Sequence, residues 1–319
     1  MPSFISQSKQ AQADASFKND LLKIPLDDAI RRIQLEKQSL VARLRDSQRI
    51  LCWFLTTEDA KSKHAAVLET WARKCSKTLL MVGDSNSTAV KHAIAKKQHP
   101  PTENNVLLVH LPLPEHYWYL WLKTKLALRY ILDMHSTEFD WLLKADDDTY
   151  VIMENLQLFL NGKNPGDLAY YGFPYHPPEP NRVRYHSGGA GYVISTKILP
   201  KVVESLDMHG CSQQNTGYED MELGKCLALV NITAADTRDA QGRLRFSPFE
   251  PSFMIRAKES MPDKKFWFWR YTAYEVKQGL ECCADTAISF HYVPARMMAT
   301  YEYLIYHASP FAGRDIWTT

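Results

Sequence analysis

The sequence predicts an α/β fold built on a mostly parallel sheet with helices on both faces. Three observations carry this expectation. From Ile50 onward, short apolar runs alternate with longer amphipathic stretches, the order that builds parallel sheets through crossover helices. Polar or acidic residues directly follow several of the apolar runs, at the strand ends where ligands of open α/β sheets sit. With 319 residues, 45% of them hydrophobic, the chain has apolar material for a large core.

The elements follow in order. Residues 1–19 are polar. Residues 20–47 space Leu22, Ile30, Ile33, Leu40, Val41 and Leu44 helically, with Glu36, Arg43 and Asp46 facing elsewhere. This pattern predicts one or two amphipathic helices divided near Pro25. Residues 1–48 thus read as a stem-like segment, a short coiled coil or an edge helix, and residues 49–319 as the main domain. Ile50 to Leu55 predicts a buried strand ending in Thr56-Thr57. A helix is expected from His64 to Cys75, a strand from Thr78 to Val82 ending at Gly83-Asp84, and a third strand from Asn105 to His110. Tyr117 to Leu132 predicts a helix with Trp118, Leu122 and Leu126 on one face and Lys123 and Lys125 on others. Phe139 to Lys144 is the fourth strand, and Met153 to Leu160 a further helix.

Composition and missing motifs exclude several function classes. Net charge is only +2 and there is no basic run, so nucleic acid is not an expected partner. No Gly-x-Gly-x-x-Gly follows the first strand, and no phosphate loop ends in Gly-Lys-Ser/Thr, which argues against a dinucleotide oxidoreductase or an ATPase. No stretch approaches the roughly 18 apolar residues of a membrane helix, and the opening residues do not read as a signal peptide. Cys52, Cys75, Cys211, Cys226, Cys282 and Cys283 include no Cys-x-x-Cys pair. Local disulfides and buried free thiols both remain open. Asn86-Ser87-Thr88 and Asn231-Ile232-Thr233 are glycosylation sequons, the second within an apolar run that suggests burial.

Four segments carry chemistry. Asp146-Asp147-Asp148 directly follows Trp141-Leu142-Leu143-Lys144. Three adjacent carboxylates repel unless a cation sits among them, and oxygen ligands suit magnesium or manganese. A solvated acidic turn, or a cap for the helix from Met153, is the plain alternative. His186-Ser187-Gly188-Gly189-Ala190-Gly191-Tyr192 places three glycines in four residues, which is costly unless backbone must approach something closely. It reads as a tight turn or as a loop lining a substrate. Glu219 and Asp220 open a helix running to about Leu229, as caps or as a general base. Phe266-Trp267-Phe268-Trp269-Arg270-Tyr271 alternates as a strand would, burying one aromatic row and exposing the other. Ser289 to Val293 also reads as a strand, and its lone His291 reads by itself as a core histidine.

Together these segments resemble the core 1 beta-1,3-galactosyltransferases, a branch of the Fringe-like beta-1,3-glycosyltransferases. The matching motifs are Trp141 to Val151, Ser187 to Val193, Glu219 to Gly224, Cys282-Cys283-Ala284-Asp285 and Ser289 to Val293. The resemblance runs from about Ile50 to Phe311 and is looser from Phe173 to Arg184 and at Ser247. It implies a GT-A fold and inverting transfer of galactose from UDP-galactose to the 3-hydroxyl of N-acetylgalactosamine on Ser or Thr of a glycopeptide or glycoprotein. It also implies manganese, a Golgi lumenal setting, a type II membrane anchor absent from the opening residues, a homodimer, and a dedicated folding chaperone as a partner. By resemblance, Asp148 and His291 ligate the metal, with Asp146 in reach, and this overturns the core reading of His291. Asp220 is the base, with Glu219 supporting or competing. Thr56, Asp84, Lys123, Asp146, Asp147, Gly188 and Gly189 hold the nucleotide sugar, while Trp267, Trp269, Tyr271 and Tyr292 hold the acceptor. Cys52–Cys75, Cys211–Cys226 and Cys282–Cys283 are the implied disulfides. Another donor or acceptor on the same fold, and a non-catalytic chaperone relative, are the competing functions.

Overall fold

The computed structural model describes residues 48–84, 105–179, 182–256 and 266–308, with scattered helical positions between residues 28 and 43. Those early positions, among them Arg31, Leu35, Glu36 and Leu40, are helical and exposed. The break near Pro25 and the sequon at Asn86 lie outside the described residues.

The centre is a seven-stranded sheet. Strands β1 (Ile50–Leu55) and β2 (Lys77–Gly83) are joined by helix α1 (Lys61–Glu69) and a 3-10 turn, Trp71–Lys74. Strand β3 (Val106–Leu111) and helix α2 (Leu120–His135) follow, then β4 (Trp141–Asp146). A short strand β5 (Tyr150–Val151) leads into helix α3 (Met153–Asn161), then β6 (Ala169–Gly172). The hairpin partners β7 (Pro174–Tyr175) and β8 (Tyr185–His186) precede β9 (Tyr192–Ser195). Helices α4 (Leu199–Ser205) and α5 (Glu219–Leu229) lead to β10 (Thr233–Ala235). The remainder is β11 (Phe246–Ser247), α6 (Pro251–Met254), α7 (Trp267–Tyr271), β12 (Ser289–Phe290) and α8 (Ala295–Tyr306).

The sheet order is β10-β6-β9-β4-β1-β2-β3. Strands β4, β1, β2 and β3 run parallel, while β9 is antiparallel to both β4 and β6. Strands β1 and β4 are buried along nearly their whole length, as expected where helices cover both faces. One core layer gathers Trp71, Tyr150, Leu156 and Phe246; the other gathers Trp53, Trp121, Leu128 and Leu227.

Two element predictions need correction. In α2 the buried face is Trp121, Thr124, Ala127, Leu128 and Ile131, and Lys123 and Lys125 are buried too. Trp118 lies in the preceding 3-10 turn and is exposed, so the face assigned from Trp118, Leu122 and Leu126 was rotated. The apolar stems of the two lysines pack while their ammonium groups reach Glu115 and Gln213, which a hydrophobic count cannot register. The second correction is α7. Its aromatic run is a single helical turn and not a strand, because a dense aromatic segment fits either period and only five residues are involved.

The three implied disulfides form: Cys52–Cys75, Cys211–Cys226 and Cys282–Cys283. The first joins β1 to the turn before β2, and the second joins α5 to the loop after α4. Among the described residues no cysteine is free and no helix is long and apolar enough to cross a membrane.

His186, on β8, has no exposure, its Nε2 2.9 Å from the Tyr170 carbonyl. Burial pushes its pKa down to about 4. An unfolded histidine takes up its proton near pH 6.5, so the unfolded state binds more protons between pH 6.5 and 4. Stability is therefore expected to fall as pH drops through that window, by about 3 kcal/mol from this residue. Urea unfolding at pH 7 and pH 4.5 would measure the loss, and His186→Asn should flatten the dependence.

Candidate active site

A cleft of about 1300 Å³ opens at the carboxyl ends of β1 and β4. Its floor is the acidic turn after β4. Successive aspartates diverge. Asp146 Oδ1 accepts a hydrogen bond from Lys144 Nζ at 2.5 Å. Asp147 turns the other way, accepting from Thr56 Oγ1 at 2.8 Å and Lys63 Nζ at 2.6 Å. Asp148 Oδ1 stands 3.2 Å from His291 Nε2 and Asp146 Oδ2 3.7 Å from the same nitrogen. One ligand atom each from Asp146, Asp148 and His291 falls within 4.8 Å of the others. Two carboxylates and an imidazole could hold a divalent cation.

Backbone pairing brings His291 to this place. β12 runs antiparallel to β5 with Ser289 opposite Val151 and Phe290 opposite Tyr150. The Val293 amide then donates to the Asp148 carbonyl at 2.8 Å. Tyr292 adopts a left-handed backbone, φ 56°, uncommon for a bulky residue. Its ring stacks on His291 with centroids 3.8 Å apart.

The glycine loop meets the close approach expected of it. A Cβ at Gly189 would overlap the His291 ring, and one at Gly188 would overlap Glu219. Thr149 fixes the loop by donating to the Gly189 carbonyl at 2.7 Å. On the far wall, α5 begins with Glu219 and Asp220. Glu219 is buried and held by Lys144 at 3.0 Å, Thr124 Oγ1 at 3.2 Å and the Tyr192 hydroxyl at 3.3 Å. Asp220 lines the cleft and accepts from the Gly188 amide at 2.9 Å. Burial raises the Asp220 pKa against the opposing pull of the Gly188 amide and Lys144. Glu219 is likewise raised by burial despite Lys144. Burial works against the charge on Lys144, but Asp146 and Glu219 outweigh it and keep its pKa above the ordinary value.

Most residues singled out in the sequence line this cleft: Thr56, Lys123, Asp146, Asp147, Asp148, Gly188, Gly189, Glu219, Asp220, Trp267, Tyr271, His291 and Tyr292. Lys123 is buried and donates to the Thr56 carbonyl and to Glu115, each at 2.5 Å. Burial lowers its pKa. Asp84, at the end of β2, is not among the lining residues; the adjacent Gly83 amide donates to Glu115, which occupies that end of the cleft. Trp269 also falls outside the lining and packs against the core. In a helix, residues two apart face different ways, whereas Trp267 and Tyr271, four apart, share a face with centroids 6.0 Å apart.

Sequence reasoning gave no role to Lys144, Lys63, Glu115, Tyr117 or Tyr218, all of which line the cleft. Lys144 had a signal, being the one charge between Leu143 and Ala145 in a strand otherwise apolar up to Asp146. The others come from separate loops and helices, and nothing in their local sequence brings them together.

Comparison with known proteins agrees with this geometry. The family model described as Fringe-like matches residues 55–239, more than half of the chain and including the acidic turn, the glycine loop and Asp220. Glycoprotein-N-acetylgalactosamine 3-beta-galactosyltransferase 1 of Xenopus laevis is 35% identical over 275 residues, covering 85% of this chain and 70% of that protein. Chondroitin sulfate synthase 2 of Homo sapiens is 31% identical over 135 residues, 40% of this chain and 17% of that protein. Chondroitin sulfate synthase 3 of Mus musculus is 24% identical over 178 residues, 52% and 19% respectively. With a mixed, mostly parallel sheet carrying its acidic turn at the end of β4, and a match spanning that site, the chain belongs to the Fringe-like family.

Proposed function

We infer that this chain is a glycosyltransferase of GT-A fold that transfers galactose to the 3-hydroxyl of N-acetylgalactosamine on glycoproteins. The observation that carries this reading is the 35% identity, over 85% of the chain, to a frog enzyme named for that reaction. The chemistry of the cleft supports it. UDP-galactose is the donor in this reading, and GalNAc-Ser/Thr of a glycopeptide the acceptor. Manganese held by Asp148, His291 and Asp146 would offset the charge of the donor diphosphate.

The chain's own residues do the rest. Thr56, Lys63 and Asp147 form one hydrogen-bonded unit at the end of β1 that shapes the nucleotide end of the cleft. Asp220 takes the proton from the acceptor hydroxyl as that oxygen attacks the anomeric carbon. Attack from the face opposite UDP inverts the configuration. Glu219 is fully engaged by Lys144, Thr124 and Tyr192, which favours a supporting role and leaves deprotonation to Asp220. Trp267, Tyr271 and Tyr292 present exposed or half-buried rings on one side of the cleft, an apolar platform for the acceptor sugar. Disulfides suit an oxidising compartment, and the Golgi lumen is the setting that fits this acceptor; residues 1–48 would then serve as the stem. A homodimer and a folding chaperone remain proposals carried by the family resemblance.

The following outcomes test this reading. Asp148→Ala should abolish manganese-dependent UDP binding in calorimetry. Gly189→Ala, which drives a methyl into His291, should weaken it by about 10- to 100-fold; unchanged binding in both would remove the metal assignment. Asp220→Asn should lower kcat by roughly 100- to 10,000-fold with UDP affinity unchanged. Because burial raises the Asp220 pKa and the base works deprotonated, kcat/KM should fall on the acid side at a higher pH than an ordinary aspartate would give, and this limb should vanish in Asp220→Asn. Trp267→Ala should raise the KM for a GalNAc-peptide, with the donor KM constant, whereas Trp269→Ala should act through stability; a reversed pattern would reject the platform.

A further inference from the structure

Asn231 lies at the end of α5, in the second sequon. Its run of apolar neighbours suggested burial, but Asn231 is exposed, and so is Thr233. The reason is the cap that ends α5. The Asn231 amide donates to the Ala228 carbonyl at 3.2 Å and the Ile232 amide to the Leu227 carbonyl at 3.0 Å. Asn231 itself takes a left-handed conformation, φ 59°. This is the paired-bond helix terminus in which glycine is the usual residue and asparagine the next choice. The turn buries Val230 and Ile232 and leaves the Asn231 side chain outside. The chain then enters β10, where the Thr233 amide donates to the Leu168 carbonyl at 3.0 Å.

Strand β10 is the terminal strand of the seven-stranded sheet among the described residues, paired on one side only, with β6. Since Thr233 directs its amide toward β6, strand alternation turns the backbone of Ala234 the other way, to the side without a paired strand among the described residues. Thr233, Ala234 and Ala235 carry no charge, no proline and no bulge, so of the usual protections of an open edge this strand has only its three-residue length and the Asp236 that follows it. Asn231 stands two residues before this edge, about 7 Å along the chain.

We propose that Asn231 is an N-glycosylation site whose glycan screens the open edge of β10. Attachment takes place on the nascent chain, so the folded structure must tolerate the sugar, and an outward side chain on a helix-terminal turn does so. The amide nitrogen of Asn231 attacks the anomeric carbon of a lipid-pyrophosphate-linked oligosaccharide. The new C–N bond replaces the C–O bond to the pyrophosphate, which leaves with the lipid, and the amide gives up one proton. This inference rests on the lumenal reading of the protein, to which the three disulfides point.

The test is secretion of the full chain from a eukaryotic cell behind a cleavable signal, with free thiols counted on the secreted product. Amidase treatment in heavy-oxygen water should convert Asn231 to a labelled aspartate in peptide mapping, and Asn86→Gln should not change that result. Thr233→Ala, which leaves the cap intact, should lose the label, and Thr233→Ser should keep it. Secreted protein with no free thiols and an unmodified Asn231 overturns the site, whereas free thiols would count against the lumenal reading instead. In light scattering, Thr233→Ala and enzymatically deglycosylated wild type should both form larger species than glycosylated wild type at equal concentration. If their size distributions match that of the glycosylated protein, the screening role is wrong.

Discussion

The site is organised around one buried ammonium group. Lys144 comes from the interior of β4 and donates to Asp146 on the acidic turn while standing 3.0 Å from Glu219 at the start of α5. A charge removed from water this completely is tolerable only when it is paired on more than one side. The pairing therefore fixes the distance between the two walls of the cleft. It orients Asp146 so that its second oxygen faces His291, and it occupies Glu219 so that Asp220 remains the carboxylate on the open side.

Backbone pairing completes what Lys144 begins. The short β5–β12 ladder sets His291 opposite the acidic turn from a segment more than 140 residues later in the chain. The glycine loop passes between them, with Gly188 against Glu219 and Gly189 against His291. Gly188 and Gly189 are thus packing requirements of the site itself, whatever sugar enters it. The loop amide of Gly188 bonded to Asp220 links the same loop to the proposed base. The candidate metal ligands, the loop and the proposed base form one connected unit, so a displacement in any of them should be felt by the others.

Much of this was legible beforehand because it is local. Apolar runs as dense as Ile50 to Leu55 and Trp141 to Leu143 have few alternatives to a central strand, and three adjacent aspartates after such a run mark a strand-end site. Glycine clustering announced a close approach without naming what approached. The failures were also physical. Lys123 and Lys125 were placed off the apolar face of α2 because a hydrophobic pattern counts ammonium groups and not the methylene stems that pack. Trp267 and Trp269 were paired by a strand period, and the single helical turn separates them.

By itself, the sequence determined which strands form the parallel core, where the acidic turn falls, and that Asn231 opens a sequon. Those properties depend on residues adjacent in the chain. Only the tertiary structure decided that His291 belongs with Asp146 and Asp148, that Glu219 is held by Lys144 while Asp220 faces the cleft, and that Asn231 points outward from an apolar neighbourhood. Each of these depends on register and on the direction in which an element enters the packing, and neither is encoded within reach of the residue concerned.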